Sequence, residues 1–442
     1  MAAHRVLILG GGFGGLYAAR ALRHAPVELT LLDRRNFHLF QPLLYQVATG
    51  SLSPGDICAP LRSVLSRQKN TRVLLGEAVD IDPAARVVRL RDGHDLPYDS
   101  LIVATGSQSF YFGNDQWRQW APSLKSVEEA TAIRHKILYA FEAAERATDP
   151  ELRQAWMTFV IVGGGATGVE LAGALGEIAL HTLKNEFRSI RPSEARILIL
   201  DGAPRLLTAY PEDLSQQAER SLTRLGVRVR AGVKVVGVDD DGVSFHNERG
   251  QEERLASKTV LWAGGVHAGR FGQILAERTR AATDKGGRIR LQPDLTIPGY
   301  PGIFVVGDLA GVDAPDGKPL PGVAQVAMQE GAYAARTITA RAQGASEAMP
   351  PFRYADRGDI AVIGRAAAVA RIFGWRLHGL LAWLVWLFIH LMYIVQFQNR
   401  VLVFVQWGFQ YLTFSRGARL ITGSAVANSV APGPTLPNMA ED

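Results

Sequence analysis

An apolar run from Val6 to Leu9 breaks into Gly10, Gly11, Gly12, Gly14 and Gly15 and then into a helical pattern, which leaves the chain few ways to fold. Gly10, Gly12 and Gly15 match G-x-G-x-x-G at a strand-to-helix turn. The first glycine lets the chain bend tightly, the second lets backbone approach a pyrophosphate, and the third lets the helix lie close on the strand. Free N–H groups and the dipole at the helix N-terminus favour the anion. A second strand, Leu29 to Leu32, ends at Asp33, eighteen residues past Gly15, where a carboxylate accepts both ribose hydroxyl protons. Glycine turns also join strands to helices with no ligand. Here the strand before, the helix after and the acid at that distance together predict a dinucleotide site.

The same design recurs. Thr158 to Val162 runs into Gly163, Gly165 and Gly168 and a helical pattern from Ala166 to about Phe187. The following strand, Arg196 to Leu200, ends at Asp201, thirty-three residues past Gly168 where about twenty is usual. A longer helix and the loop Ser189 to Glu194 absorb the difference. Ser100 to Gly106 closes the first unit with a small-residue turn at Ala104, Thr105 and Gly106, and Lys258 to Gly265, with Gly264, echoes it. Pro301 to Ala310 adds a buried strand ending in Gly307-Asp308, a carboxylate at the ligand edge of a parallel sheet. An acid capping the next turn is the plainer reading of Asp308; beside two fingerprints, a sugar hydroxyl is favoured. Two dinucleotide units predict two cofactors that exchange electrons.

Composition narrows the chemistry. The chain has 442 residues, 47% of them hydrophobic, enough for two or three cores. A formal charge of +6 could suit nucleic acid or an anionic membrane, but no Lys/Arg block occurs, so nucleic acid is not expected as a partner. Cys58 is the single cysteine, which excludes an intramolecular disulfide, a C-x-x-C pair and a cysteine-rich metal site. Redox work then belongs to bound cofactors, and no metal is expected. The first strand begins at once, with no pattern for a cleavable signal, so the folded body is expected in the cytoplasm.

Two stretches are too apolar for solvent loops. Asn36 to Gly50, interrupted by Pro42, either walls a flat aromatic cofactor or is a buried connection, and His38 within it reads as a structural histidine. Leu377 to Phe397 is 21 residues of almost wholly apolar sequence, long enough as a helix to reach about 31 Å. Val401 to Phe414 reaches only about 21 Å, and Gln398-Asn-Arg400 alone separates the two, which argues against a hairpin span. Gln406, Gln410 and Thr413 share one stripe of that second helix. Arg371, Arg376, Arg400, Arg416 and Arg419 flank the pair. The pattern predicts a monotopic anchor over residues 371–420, with arginines toward anionic headgroups; a homodimer interface is the other use of such helices. Residues after Ile421 read as a loose tail.

The two fingerprints, Ala104-Thr105-Gly106 and Gly307-Asp308 resemble the flavin and pyridine-nucleotide disulfide reductase superfamily, which implies FAD on the first unit and NAD(P)H on the second. Phe40-Gln-Pro-Leu-Leu-Tyr-Gln-Val-Ala48, Ala324-Gln-Val-Ala-Met-Gln329 and the aromatic C-terminal stretch resemble, over nearly the whole chain, the type II NADH:quinone oxidoreductases. That resemblance implies an α/β fold of two Rossmann-like domains, with an FAD domain (1–120 and 285–345) split by an NADH domain (121–284), and a helical membrane-associated region (346–442). It implies hydride passing from NADH to FAD, then electrons to a membrane quinone (ubiquinone or menaquinone) without proton pumping, at the cytoplasmic face of the membrane. Gly10, Gly12, Gly14, Gly15, Asp33, Gln41, Pro42, Ala104, Thr105, Gly106, Gly307, Asp308 and Ala324 would hold FAD; Gly163, Gly165, Gly168, Asp201 and Gly264 would hold NADH. Asp201 stands where many relatives carry glutamate, and its charge would repel a 2′-phosphate. Glu170 suits the dipole of its helix on any reading; the resemblance also implies a place near the rings, guiding the donor or a proton. Gln325 and Gln329, four apart, share a helix face and imply a pair of amides on the quinone carbonyls. A sulfide:quinone oxidoreductase needs at least two redox cysteines. A soluble-acceptor reductase has no use for the last hundred residues, and a membrane-bound redox-sensing flavoprotein is the remaining alternative.

Overall fold

A computed structural model of the chain describes residues 3–345 and 349–422. The expected loose tail falls mostly on 423–442, outside the described residues. Strand β1 (His4–Leu9) leads through helix α1 (Phe13–Ala21) to β2 (Val27–Asp33), β3 (Thr71–Leu75) and β4 (Ser100–Val103). The second unit repeats the plan with β5 (Thr158–Val162), α2 (Ala166–Glu177), β6 (Arg196–Leu200), β7 (Val227–Arg230) and β8 (Thr259–Trp262). The chain then returns through β9 (Thr296–Ile297) and β10 (Tyr300–Val305) to helix α3 (Ala324–Ala342).

Two sheets result, ordered β9-β10-β4-β1-β2-β3 and β7-β6-β5-β8. All their pairings are parallel except that of the edge strand β9 with β10. β4, β5 and β8 are buried at every residue, as strands covered on both faces must be, which is why each is an apolar run after one initial Ser or Thr. Helix α3 crosses α1 backbone to backbone: a Cβ on Gly331 would lie 2.2 Å from the Gly14 carbonyl oxygen. The helix expected to run to Phe187 is shorter. Regular α2 ends at Glu177 and widens into a single π-helical turn, Ile178–Thr182.

The C-terminal part also differs from the sequence reading. Its apolar run starts as a strand, because β11 (Asp359–Gly364), β12 (Ala367–Ile372) and β13 (Trp375–His378) form their own antiparallel sheet. Only Gly379–Tyr393 is helix α4, followed after a short turn by α5 (Phe397–Thr413). Fifteen residues of helix reach about 22 Å. No helix among the described residues is long and apolar enough to cross a membrane.

Both helices expose apolar side chains outward, and α5 also turns polar groups inward. Asn399 donates to the Gly55 and Asp56 carbonyls at 3.0 Å, Trp407 Nε1 to Gln46 Oε1 at 2.8 Å, and Gln410 Nε2 to the Ser51 carbonyl. Meanwhile Phe388, Phe404, Val405, Phe409 and Leu412 face outward, Leu412 with 78% of its surface exposed. Thr413 donates to the Phe409 carbonyl of its own helix and accepts from Ser415 N–H at 3.2 Å. Trp386 and Trp407 join the core that packs α2, the Phe40–Ala48 segment and β11–β12 together.

Candidate active site

The first glycine turn does the three jobs its spacing predicts. Gly10 has φ +101°, and a Cβ there would come 2.4 Å from the Ala104 carbonyl oxygen. A Cβ on Gly12 would meet nothing within 4 Å, so that side is open for a ligand; one on Gly15 would come 1.8 Å from the Gly10 carbonyl oxygen. Gly11 N–H donates to Asp33 Oδ2 at 2.5 Å and Arg35 N–H to Asp33 Oδ1 at 2.7 Å. Burial raises the Asp33 pKa against those two bonds. His38 is structural: its Nδ1 lies 2.9 Å from the Gly11 carbonyl, and burial pushes its pKa to about 4.

The second turn matches atom for atom. Gly163 has φ +114°, Gly165 is open, and a Cβ on Gly168 would lie 1.9 Å from the Gly163 carbonyl oxygen. Asp201 accepts from Gly164 N–H and, at 2.7 Å, from Ala203 N–H, as Asp33 accepts from Gly11 and Arg35. The long spacing therefore ends at the same place in the fold. Ala263 and then Gly264 follow β8 beside this turn, as Ala104 and then Thr105 follow β4 beside the first.

A cavity of about 840 Å³ joins the parts. Gly10, Gly12, Gly14, Asp33, Gln41, Pro42, Ala104, Thr105, Gly106, Gly307, Asp308, Ala324 and Gln325 all line it, while Gly15 is packed behind the wall. Gly163, Gly165, Gly168, Asp201 and Gly264 do not line it. The second unit reaches in through Ala166, Thr167 and Glu170 at the start of α2. The far end is formed by Ile389, His390 and Tyr393 of α4. The Phe40–Tyr45 segment is both a buried connection and a cavity wall, so its two readings are not in conflict.

Electrostatics distinguishes the polar residues. Burial raises the Glu170 carboxyl to about 8, against a hydrogen bond from the Val362 backbone. Asp308 accepts from Ser107 Oγ at 2.5 Å and faces Lys125 Nζ at 3.8 Å. Gln325 gives its Nε2 to the Gly358 carbonyl at 3.2 Å and leaves Oε1 buried without a partner among the described residues. Gln329, expected to pair with Gln325 on the quinone, is placed differently from it. Its amide is spent on Ala355, donating to the carbonyl at 3.0 Å and accepting from the N–H at 2.9 Å, and it faces a neighbouring cleft.

Comparison with known proteins agrees with this geometry. Residues 4–331 match the family model described as pyridine nucleotide-disulphide oxidoreductase, and residues 357–416 match the NDH2 C-terminal domain. The chain is 45% identical over 423 residues to the type II NADH:quinone oxidoreductase Ndh of Mycobacterium tuberculosis, covering 95% of this chain and 90% of that one. The chain belongs to the type II NADH:quinone oxidoreductases. A member from Staphylococcus haemolyticus is 30% identical over 84% of this chain and 90% of its own. The fold is that of NDH2 from Plasmodium falciparum solved with RYL-552, at TM-score 0.86 and 19% identity, covering 96% of this chain and all of that one.

As a member of this family the chain is an oxidoreductase that uses FAD and NADH. The open Gly12 side, the Asp33 carboxylate and the small-residue turn at Ala104–Gly106 fit FAD in the main cavity. A sulfide:quinone oxidoreductase from Aquifex aeolicus shares the fold at TM-score 0.71 and 18% identity. Here Cys58 is alone, and burial pushes its thiol up to about 12. Sequence reading missed four residues of the cavity surroundings. Lys125 and Ser107 meet Asp308 only in three dimensions. Glu330, 1% exposed, accepts from Gly307 N–H at 2.6 Å beneath the cavity. His390 was visible as a polar break in the apolar run, which is the one signal that marked it. Its Nδ1 lies 2.8 Å from the Trp386 carbonyl, and burial pushes its pKa to about 4.

Proposed function

We propose that this chain passes electrons from NADH to a membrane quinone along the main cavity. One observation carries the reading: the same cavity touches both glycine-turn units and the helix whose other face is exposed and apolar. Residues 1–120 and 285–345 hold FAD, 121–284 hold NADH, and 346–442 meet the membrane. Bound FAD supplies the two-electron chemistry that links nicotinamide to quinone.

The chain's own residues do the rest. Asp33 and Asp201 each fix a glycine turn and offer a carboxylate to a ribose, and the Asp201 charge disfavours a 2′-phosphate. NADH plus quinone plus one proton gives NAD⁺ plus quinol, so the site must supply a proton. With its pKa near 8, Glu170 keeps one at neutral pH beside the cavity. Gln325 Oε1, a buried acceptor without a partner, suits a quinol hydroxyl. Helices α4 and α5 lie in the membrane interface at the cytoplasmic face, their outward apolar side chains among the acyl chains.

Deleting the C-terminal region would also remove Trp386 and Trp407 from the core, so a milder change tests the docking. Phe404→Asp with Leu412→Asp should release the protein from lipid vesicles and slow quinone reduction, while NADH still reduces a soluble dye at the original rate. Unchanged sedimentation with vesicles would remove the membrane assignment.

A further inference from the structure

The arginines that the sequence offers to lipid headgroups are mostly spent inside the protein. Arg371 pairs with Asp356 and Asp359, Arg376 with Asp213, Arg416 with Glu177 and Arg419 with Glu186. A different set is left over. Beside the main cavity lies a second cleft of about 570 Å³ between α3 and residues 349–357, lined by Arg336, Arg353 and Arg357. All three are exposed residues, and among the described residues no aspartate or glutamate lines the cleft. Among the described residues none of the three pairs with a carboxylate; Arg357 donates to the Tyr393 hydroxyl at 3.1 Å. Asp356, next in sequence, is already committed to Arg371 and to Gly358 N–H.

Two further arginines crowd the same place. Arg20 and Arg400 both bear on Tyr17, which lines the cleft. Burial lowers the Arg20 pKa, Tyr17 offsets part of this, and the Arg400 charge lowers it again. Like charges clustered on one face raise the local positive potential and attract an anion.

The cleft opens where the apolar helices turn. Tyr393, the last residue of α4, lines it, and Arg400 Nε donates to the Ile394 carbonyl at 2.7 Å. On either side of that turn Met392 and Phe397 are 48% and 77% exposed. A free anion in water has no need of such a rim. A lipid does, because its charged group and its chains must be met together.

We propose that this cleft binds the phosphodiester headgroup of an anionic phospholipid, with Arg336, Arg353 and Arg357 supplying the charge. The assignment rests on the membrane docking proposed above. Gln325, Met328 and Tyr393 line both this cleft and the main cavity, so the headgroup sits beside the route open to quinone.

The test is sedimentation of the full FAD-loaded chain with vesicles of phosphatidylcholine alone or mixed with phosphatidylglycerol. Wild type should bind both kinds and prefer the anionic ones, and high salt should erase the preference. The triple variant Arg336→Gln, Arg353→Gln, Arg357→Gln should lose roughly 100-fold in partition onto anionic vesicles, from about 1 kcal/mol per cation, and little on neutral ones. Its NADH-to-dye rate should match wild type, which reports an intact fold. Arg376→Gln, drawn from the paired flank, should keep the preference. A triple variant that still prefers anionic vesicles overturns the proposal. So does wild type that binds neutral vesicles with no gain from anionic lipid, or a cleft that inorganic phosphate fills equally well without vesicles. Wild type that binds neither vesicle overturns the docking as well.

Discussion

The two glycine-turn units are near copies in backbone and differ in what covers them. Each begins with a glycine at φ above +100°, opens at the second glycine, packs its helix at the third, and ties an aspartate to the N–H after the first glycine. In the first unit the turn and its aspartate line a deep cavity roofed by α3, the Phe40–Tyr45 segment and α4. In the second the turn and Asp201 lie outside that cavity, which the unit enters through the start of α2, Tyr210 and the Gly269–Phe271 segment. A recessed site suits a cofactor that stays and an open one suits a substrate that must leave. On the proposed reading the neighbours, not the motif, make one unit a holder of FAD and the other a docking place for NADH.

The sharpest way to break this comparison is to fill the same position in each copy. Gly15→Ala and Gly168→Ala each drive a Cβ to within 2 Å of a carbonyl oxygen. The first should purify colourless. The second should purify yellow but reduce its flavin at least about 100-fold more slowly with NADH, the cost of a misplaced donor. If both lose flavin, the units are not separable.

A somewhat smaller effect is expected at Glu170, the side chain by which the second unit reaches into the first unit's cavity. Glu170→Gln should slow quinone reduction about 100-fold near neutral pH and leave dye reduction unchanged. Because burial raises this carboxyl to about 8, the proton is held below that pH and lost above it. The wild-type quinone rate should fall as pH rises through about 8, and the variant should lack that limb. A variant that keeps the alkaline limb would assign the titration to another group.

Asp201→Ala is the mildest of the three. It removes an acceptor for Gly164 and Ala203 as well as for ribose, so the KM for NADH should rise about tenfold and the bias against NADPH should shrink. Flavin content should not change. An unaltered NADH/NADPH ratio would take discrimination away from this residue.

How far these sites were legible follows from the range of the interactions. Glycine turns are local, so their roles could be read residue by residue. Asp201 could be placed at its strand end despite the long spacing, because the extra residues form a π-helical turn and a loop outside the sheet. The inward stripe of α5 was legible at Gln406 and Gln410, which reach Asp56 and the Ser51 carbonyl. What sequence could not show were pairings across long separations. Gln329 looked equivalent to Gln325 until Ala355, 26 residues on, took its amide. The flanking arginines looked free until acids from other elements neutralised them, and the apolar run looked like one long helix until β12 drew its first residues into a sheet.

The most direct measurement is anaerobic mixing of the purified, vesicle-bound protein with NADH and then with a quinone, following flavin absorbance. A recessed site in the cavity and an open one beside it predict bleaching by one equivalent of NADH and full recovery on quinone addition, with one quinol formed per NADH. A flavin that stays oxidised with NADH, or that bleaches and recovers only with a soluble dye, would contradict it.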